Sequence, residues 1–373
     1  MAEGWGVIEH IEISGFKSLE KVSLDLGALN IFVGTNASGK TNFLEALRVL
    51  QGIGYGYTVD EILNGKPRTA KAEAWEGIRG GSNFAEFLSR PGGNIEFEVK
   101  TSTPELVEAA TYRIALSPRS TRVYSESLSI GPTTVFDAEP FNLKPTLGQL
   151  SDPVSSLIRE LISDMQTLQP SPSVERAYST ASRALRMGER GEDFAALLKT
   201  ILSDAASGPA YVSWLKELTP AELDSIEILN SPAGDFTFAF RRRGTNYPAR
   251  VLSDGTLRFA AIAAAFFQPS PPHALILEEI EEGLHPTRLQ LLVELLKSQT
   301  GHGVEQVFAT SHSPYAIAWL REEDYKYVFL CTKNEETGAT SITPFSEVPD
   351  LVELARTQSI ADLFAEGWME NTL

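Results

Sequence analysis

The segment Gly34-Thr35-Asn36-Ala37-Ser38-Gly39-Lys40-Thr41 fits G-x-x-x-x-G-K-[ST], and no other feature of the chain limits its fold as strongly. The spacing works where a strand ends, a glycine-containing loop turns and a helix begins. Backbone amides at the turn and helix start then surround an anionic phosphate, the lysine reaches the β- and γ-phosphates, and the Thr41 hydroxyl takes a Mg²⁺ position. The flanks meet that requirement: Leu29 to Val33 is β-rich, and Phe43, Leu44, Leu47 and Leu50 recur at helical spacing. A glycine turn with an incidental lysine is the plain alternative, and it would not need flanks of this kind.

The rest of the chain extends the pattern. Val7 to Ile13 and Val22 to Leu26 are strand segments, as are Asn94 to Lys100, Thr111 to Leu116 and Arg122 to Ile130. Asp152 and Pro153 form a helix start, and Val154, Leu157, Ile158, Leu161, Ile162 and Met165 follow on one helical face. Phe194, Leu197, Leu198, Ile201 and Leu202 mark a second helix. Strands at Phe236 to Arg242, Ala274 to Leu277 and Gln306 to Ala309 then alternate with helices at about Thr256 to Gln268 and through Leu289, Leu292, Val293 and Leu296. Such alternation predicts an α/β lobe with a largely parallel sheet, closed by a hairpin from Tyr325 to Leu330 and Ser341 to Pro344. Three divisions follow: an N-terminal lobe over 1–150, a helical insertion over 151–228 and a C-terminal lobe over 229–373. The insertion lacks the sustained heptads of a coiled coil.

Two further segments carry chemistry. Ala274-Leu275-Ile276-Leu277-Glu278-Glu279 is an apolar strand ending in two acids, and a buried parallel strand delivers such side chains to the edge where ligands bind. One carboxylate there can hold a metal while the other polarises an attacking water; in isolation, acids after a strand are more often solvated loop residues. Leu252-Ser253-Asp254-Gly255-Thr256-Leu257-Arg258 precedes an alanine-rich helix. Ser253 or Asp254 serves there as a simple N-cap, or the hydroxyl and the helix-end amides are aimed at a phosphate.

Composition narrows the function. The 32 Lys and Arg stand against 49 Asp and Glu, a formal charge of −17, which argues against a protein that coats nucleic acid. The one cysteine, Cys331, excludes an internal disulfide and a Cys-based zinc site and fits a reducing compartment. The longest apolar run, Phe259 to Phe267, is less than half of the roughly 20 residues that span a bilayer, and no basic-then-apolar leader opens the chain, so a cytoplasmic protein without a membrane contact is expected.

Together these segments carry a family resemblance. "IEISGFKSL" leading into "IFVGTNASGKTNFLEALRVL" resembles the N-terminal lobe of ABC-type ATPases of the RecF/SMC branch, and is most similar to their short OLD-like relatives. "VLSDGTLRFAAI" resembles the ABC signature, "ALILEEIEEGLHP" the Walker B strand and D-loop, and "FATSHSP" the strand with the switch histidine. The resemblance implies an α/β fold, an ABC-type P-loop ATPase head with an N-terminal antiparallel β subdomain, a mainly parallel core sheet and a helical insertion. It implies ATP and Mg²⁺ as ligands. Gly34, Thr35, Asn36, Ala37, Ser38, Gly39, Lys40, Thr41 and Asn42 would hold the phosphates, with Thr41 and Glu278 on the metal. Glu279 takes the general-base place and His312 senses the γ-phosphate. Ser253 and Gly255 would contact the γ-phosphate bound by a second copy, with Gly283, Leu284, His285 and Pro286 as D-loop across the dimer interface. The sequence departs from the pattern in three places: Glu278 stands where most relatives carry Asp, Ile280 replaces the usual Pro, and no Q-loop glutamine is identified, since Gln51 lies only 11 positions after Lys40. The 61 residues after His312 show nothing resembling the nuclease domain of OLD enzymes.

The expected function is therefore an ATP-hydrolysing homodimer with shared nucleotide sites that regulates a separately encoded nuclease or other effector in bacterial defence or DNA repair. A RecF-like DNA-binding repair protein and an ATP-bound scaffold with little turnover are the rivals. Arg241, Arg242 and Arg243 are the one run of three basic residues, read either as a solvated hairpin tip or as a local DNA contact. His10, His273 and His302 have no metal-ligand spacing. From 321 to 373 the chain holds 4 basic and 11 acidic residues, a poor DNA surface and a plausible protein-docking one.

Overall fold

The computed structural model describes residues 6–68, 74–87, 92–218 and 223–367, in two compact units. The first comprises 1–165 together with 320–373, and the second 166–319. The last six residues of the acidic C-terminal stretch lie outside the described residues.

The first unit opens with β1 (Val7–Phe16), β2 (Leu19–Asp25) and β3 (Leu29–Val33), followed by α1 (Lys40–Gly54) and α2 (Val59–Asn64). Then come β4 (Ile95–Ser102), β5 (Ala110–Ser117), β6 (Arg122–Ile130), β7 (Thr133–Ala138) and α3 (Pro153–Ser163). One antiparallel sheet runs β2-β1-β4-β5-β6-β7. Its strands alternate as a sheet with one buried face should: Ile11 and Ile13 of β1, and Ile95, Phe97 and Val99 of β4, are buried while their neighbours are not. Asp152 caps α3 by accepting from the Ser155 amide at 2.9 Å, and Pro153 occupies the first turn.

The expected helical face does not reach Met165. The helix ends at Ser163, Asp164 leaves helical geometry, and Met165 starts the short strand β8 (Met165–Leu168), burying its side chain from extended chain. Apolar spacing alone cannot separate a helix's last turn from the strand that follows it.

The second unit continues with α4 (Pro172–Glu175), α5 (Phe194–Ser203), α6 (Ser207–Leu218), β9 (Ser225–Asn230), β10 (Phe236–Arg242) and β11 (Thr245–Pro248). After these come α7 (Asp254–Ala265), β12 (Ala274–Leu277), α8 (Pro286–Gln299), β13 (Gln306–Ser311) and α9 (Pro314–Ile317). Strands β12 and β13 pair in parallel from Ala274↔Gln306 to Leu277↔Ala309, and every residue of both is buried, as parallel strands covered on both faces require. The meander β9-β10-β11 is antiparallel. Tyr211 of α6, itself fully buried, donates to Ala260 O of α7 at 3.0 Å.

The chain then re-enters the first unit with β14 (Val328–Lys333), β15 (Thr340–Pro344), α10 (Leu351–Leu354) and α11 (Ile360–Ala365). The expected hairpin is present: β14 pairs antiparallel with β15 on one side and parallel with β3 on the other, with Phe32 stacked on Phe329 at 4.9 Å. The fold is thus mixed α/β, with an N-terminal antiparallel sheet and parallel pairing around β3, β12 and β13.

Candidate functional site

In the first unit, β3 ends at Val33 and the loop 34–39 leads into α1. Gly39 caps the helix at φ 101°, and Ala37 is also in the left-handed region at φ 67°. A glycine cap has no side chain to take the first-turn amides, so the helix start presents N–H donors together with the positive end of its dipole. Lys40 lies at the loop's centre, almost buried, donating to Gly34 O and Thr35 O at 2.7 Å each and to Ser38 Oγ at 3.4 Å. Close approach explains both glycines. A β-carbon at Gly34 would sit 2.3 Å from Cys331 O, and one at Gly39 would sit 2.0 Å from Thr340 Oγ1.

A hydroxyl network braces this loop. Thr340 Oγ1 donates to Ser38 O at 2.9 Å, so Ser18 Oγ is the donor in its 2.7 Å contact with Thr340 Oγ1. Asn42 Nδ2 in turn donates to Ser18 Oγ at 2.7 Å, which commits the Asn42 side chain to the brace. Cys331, on β14 beneath the loop, has its thiol pushed up to about 12 by burial, against the opposing pull of Lys40. Gln51 is buried and donates to Ser163 O at 3.3 Å and to Met165 O; it ties down the end of α3.

In the second unit, β12 delivers Glu278 and Glu279 from a fully buried strand, and both are half-buried. Glu279 adopts φ 49°, a conformation that costs a non-glycine residue of the order of 1 kcal/mol. Tertiary contacts hold it there: its amide donates to Thr310 Oγ1 at 3.0 Å, and the next amide, of Ile280, to Thr310 O at 3.1 Å. Ile280 itself is buried.

Ser253 is the N-cap of α7, accepting from the Thr256 amide at 3.3 Å with Thr256 Oγ1 at 2.7 Å; the capping role read from sequence is therefore filled. Gly255 abuts the turn after the acids, since a β-carbon there would lie 2.3 Å from Gly283 O. His312 is exposed, and Glu281 holds it twice through one oxygen: the His312 amide donates at 2.7 Å and ring Nδ1 lies at 2.8 Å. Carrying the hydrogen on Nδ1 leaves Nε2 as the ring's other nitrogen. His285 caps α8 by accepting from the Thr287 amide. The three arginines lie at the β10–β11 hairpin, with Arg243 at its tip at φ 48° and Arg242 over the Tyr247 ring at 5.6 Å.

The phosphate-loop residues Gly34 to Asn42 are thus contiguous in the first unit, while Ser253, Gly255, Glu278, Glu279 and His312 gather in the second. Ser18, Thr340, Thr310 and the Glu281–His312 pairing were not foreseen. Ser18 lies within "GFKSL" and Glu281 within the acidic run, but their hydrogen-bond partners are distant in sequence. The donor set fits an anionic nucleotide: glycine-capped amides, a buried ammonium and a first-turn hydroxyl at Thr41. Among the described residues no group of three or more His, Cys, Asp or Glu forms a metal cluster, and Mg²⁺ is ordinarily held by one or two protein oxygens with the rest from phosphate and water. Within the first unit, the Thr41 hydroxyl at the start of α1 is one oxygen of that kind. Among the described residues, no helix is long and apolar enough to cross a membrane.

The fold is shared with the head of an Smc protein bound to the C-winged helix domain of ScpA, at TM-score 0.56 and 16% identity over 94% of this chain and 99% of that one. It is shared equally with the Smc head domain with an extended coiled coil, bound to the C-terminal domain of ScpA derived from Pyrococcus furiosus, at TM-score 0.56 and 14% identity over 94% and 100%. No curated protein matches the chain. The sequence pattern of one family, described as "AAA domain, putative AbiEii toxin, Type IV TA system", matches residues 29–318, which run from β3 through the glycine-rich loop to just beyond α9. With that match spanning most of its length, the chain belongs to this AAA-domain family, and it shares the fold of Smc head domains.

Proposed function

We propose that this protein hydrolyses ATP slowly as a homodimer and uses the cycle to regulate a separately encoded effector such as a nuclease. The observation that carries the reading is Glu279, a non-glycine residue held at φ 49° at the end of a buried parallel strand; such strain persists where surrounding structure over-determines it, and it concentrates at functional sites. In this reading Lys40 and the α1 amides bind the β- and γ-phosphates, and Glu279 orients the attacking water and takes up its proton. Lys40 then stabilises charge on the transferring phosphoryl group. Mg²⁺ bound at Thr41 and Glu278 would neutralise phosphate charge. Ser253 and Gly255 would meet the γ-phosphate held by a second copy, with His312 as its sensor, and dimer closure would report the nucleotide state to the partner.

The Smc heads whose fold it shares were solved bound to a domain of another protein, which supports a partner-directed role. The test is steady-state phosphate release with Mg²⁺ and ATP, run beside size-exclusion chromatography of Glu279→Gln with ATP. Turnover in the wild type, its loss in the variant and an ATP-dependent dimer are expected. Undetectable release from the wild type sinks the hydrolytic reading and favours a scaffold. Mixing Ser253→Arg with Lys40→Ala should restore activity only if sites are shared between copies. The exposed Arg241 and Arg243 at the hairpin favour one second reading, ATP-dependent binding of duplex DNA, which would fall steeply with salt and be lost on neutralising the three arginines.

A further inference from the structure

Arg258 lies one turn into α7, and only 4% of it is exposed. A buried guanidinium is tolerated when its donors are matched. Here the two terminal nitrogens are matched and Nε alone has no hydrogen-bond partner: Nη2 donates to Glu278 O at 3.0 Å and Glu279 O at 3.1 Å, while Nη1 donates to Glu282 Oε2 at 2.7 Å and Pro170 O at 3.1 Å. One side chain of the signature helix thus grips the backbone of both acids, the turn after them, and the Pro170 segment that precedes α4. Arg176, at the end of α4, binds Leu252 O at 2.8 Å and Asp254 at the start of α7. The segment 170–176 therefore touches the signature loop through Arg176 and the acidic turn through Arg258.

We propose that Arg258 is a positioning residue for hydrolysis. By drawing the Glu278 and Glu279 carbonyls onto one planar fork, it fixes the left-handed backbone of Glu279 and so the direction in which that side chain leaves the chain. The same fork makes the conformation of Glu279 depend on where α7 sits. The motion of the signature helix and the segment before α4 is thereby transmitted to the water-activating carboxylate. A lysine cannot do this, because one ammonium cannot span two carbonyls on one edge and Glu282 with Pro170 O on the other.

The proposal rests on Glu279 as the hydrolytic base, and its test separates the two. Wild type, Glu279→Gln, Arg258→Lys and Arg258→Ala are assayed together for kcat, KM and thermal midpoint, with fluorescent ATP-analogue binding. The expected result for Arg258→Lys is a kcat about 10- to 100-fold lower, with KM and analogue affinity within about twofold of wild type and an unchanged midpoint. Millimolar guanidinium should restore part of the kcat of Arg258→Ala and leave wild type unaffected. A wild-type kcat in Arg258→Lys overturns the proposal, and so does a loss of kcat that merely follows a fall in the midpoint. If instead wild type shows no turnover, or Glu279→Gln turns over normally, it is the hydrolytic reading that fails.

Discussion

The phosphate loop and the acidic turn are both built to hold charge at the end of a buried strand, yet they are held in place in opposite ways. Residues 34–42 shape themselves: two glycines, a left-handed Ala37 and a helix start specify the loop, and the Ser18–Thr340 brace reinforces it. Residues 278–285 have a glycine at 283, at φ 70°, but none at the left-handed position that directly follows β12. Glu279 takes that position, and contacts from Thr310, His312 and Arg258, all at least 20 residues away in sequence, hold the segment. A self-shaped site binds whenever the chain is folded, whereas an externally held one can be switched by whatever moves its holders.

The largest expected effects should separate binding from chemistry along this line. Glu279→Gln should lower kcat by about 10³-fold while ATP affinity is kept, because in the proposed mechanism the carboxylate would act on water. Lys40→Ala should lower turnover by about 10²- to 10³-fold and weaken ATP binding as well, because in the proposed mechanism the ammonium would contact the phosphates in ground and transition state alike. Isothermal titration beside phosphate release reads both. Equal binding losses in the two variants would erase the contrast.

Next in size is the loop's own architecture. Gly39→Ala places a β-carbon 2.0 Å from Thr340 Oγ1 at φ 101°, so it should cost about 1–3 kcal/mol of stability and lower ATP affinity at least tenfold. Thr340→Val removes one hydroxyl and its link to Ser38 O and should cost about 1 kcal/mol. Chemical denaturation checks both, and a silent Gly39→Ala would mean the loop is shaped from outside after all.

These expectations track what could be read in advance. The loop, the flanking elements and the Asp152 cap were legible because they are local: a motif, a 3.6-residue period, an N-cap followed by proline. The parallel strands β12 and β13 were legible as short apolar runs between helices. Strands β7, β9 and β11 were not, since Thr133–Ala138 and Thr245–Pro248 are largely exposed and carry little hydrophobic alternation. The roles of Thr310, Glu281 and Arg258 were not legible because a hydrogen bond to a backbone carbonyl or amide leaves no residue-type signature at its other end. Arg258 stood within the signature segment, but nothing there distinguishes a buried fork from a solvated helix charge.

A smaller effect is expected from the holder of His312. Glu281→Ala removes the acceptor of both the ring and the amide, a charge-assisted contact of about 1.5 to 3 kcal/mol. Part of that would appear in the barrier, as a kcat reduced about tenfold, with ATP binding intact. Glu281→Gln, which keeps an acceptor oxygen, should recover most of it. Equal loss in both variants would show that charge rather than orientation is what Glu281 supplies.

The effect with least bearing on turnover concerns Glu175, the last residue of α4. Its carboxyl is buried beside Arg258 and Arg176, and neither oxygen has a hydrogen-bond partner. Burial pushes it up to about 8 from the ordinary 4.5; the two arginines oppose that push and Asp254 adds to it. A carboxyl with a raised folded-state value is neutral in the fold while the unfolded chain ionises freely. Its stability contribution is therefore fully present below about 4.5 and is lost as pH rises toward about 8, with an upper bound of the order of 5 kcal/mol. Glu175→Gln keeps the neutral form at every pH. Its thermal midpoint should match wild type near pH 5 and exceed it by a few degrees at pH 8.5. A constant difference across that range would mean that Glu175 is ionised throughout and paired with Arg258. The fork that holds Glu279 would then be anchored by charge from α4, and the acidic turn would be tied to that helix more tightly than the hydrogen bonds through Pro170 alone require.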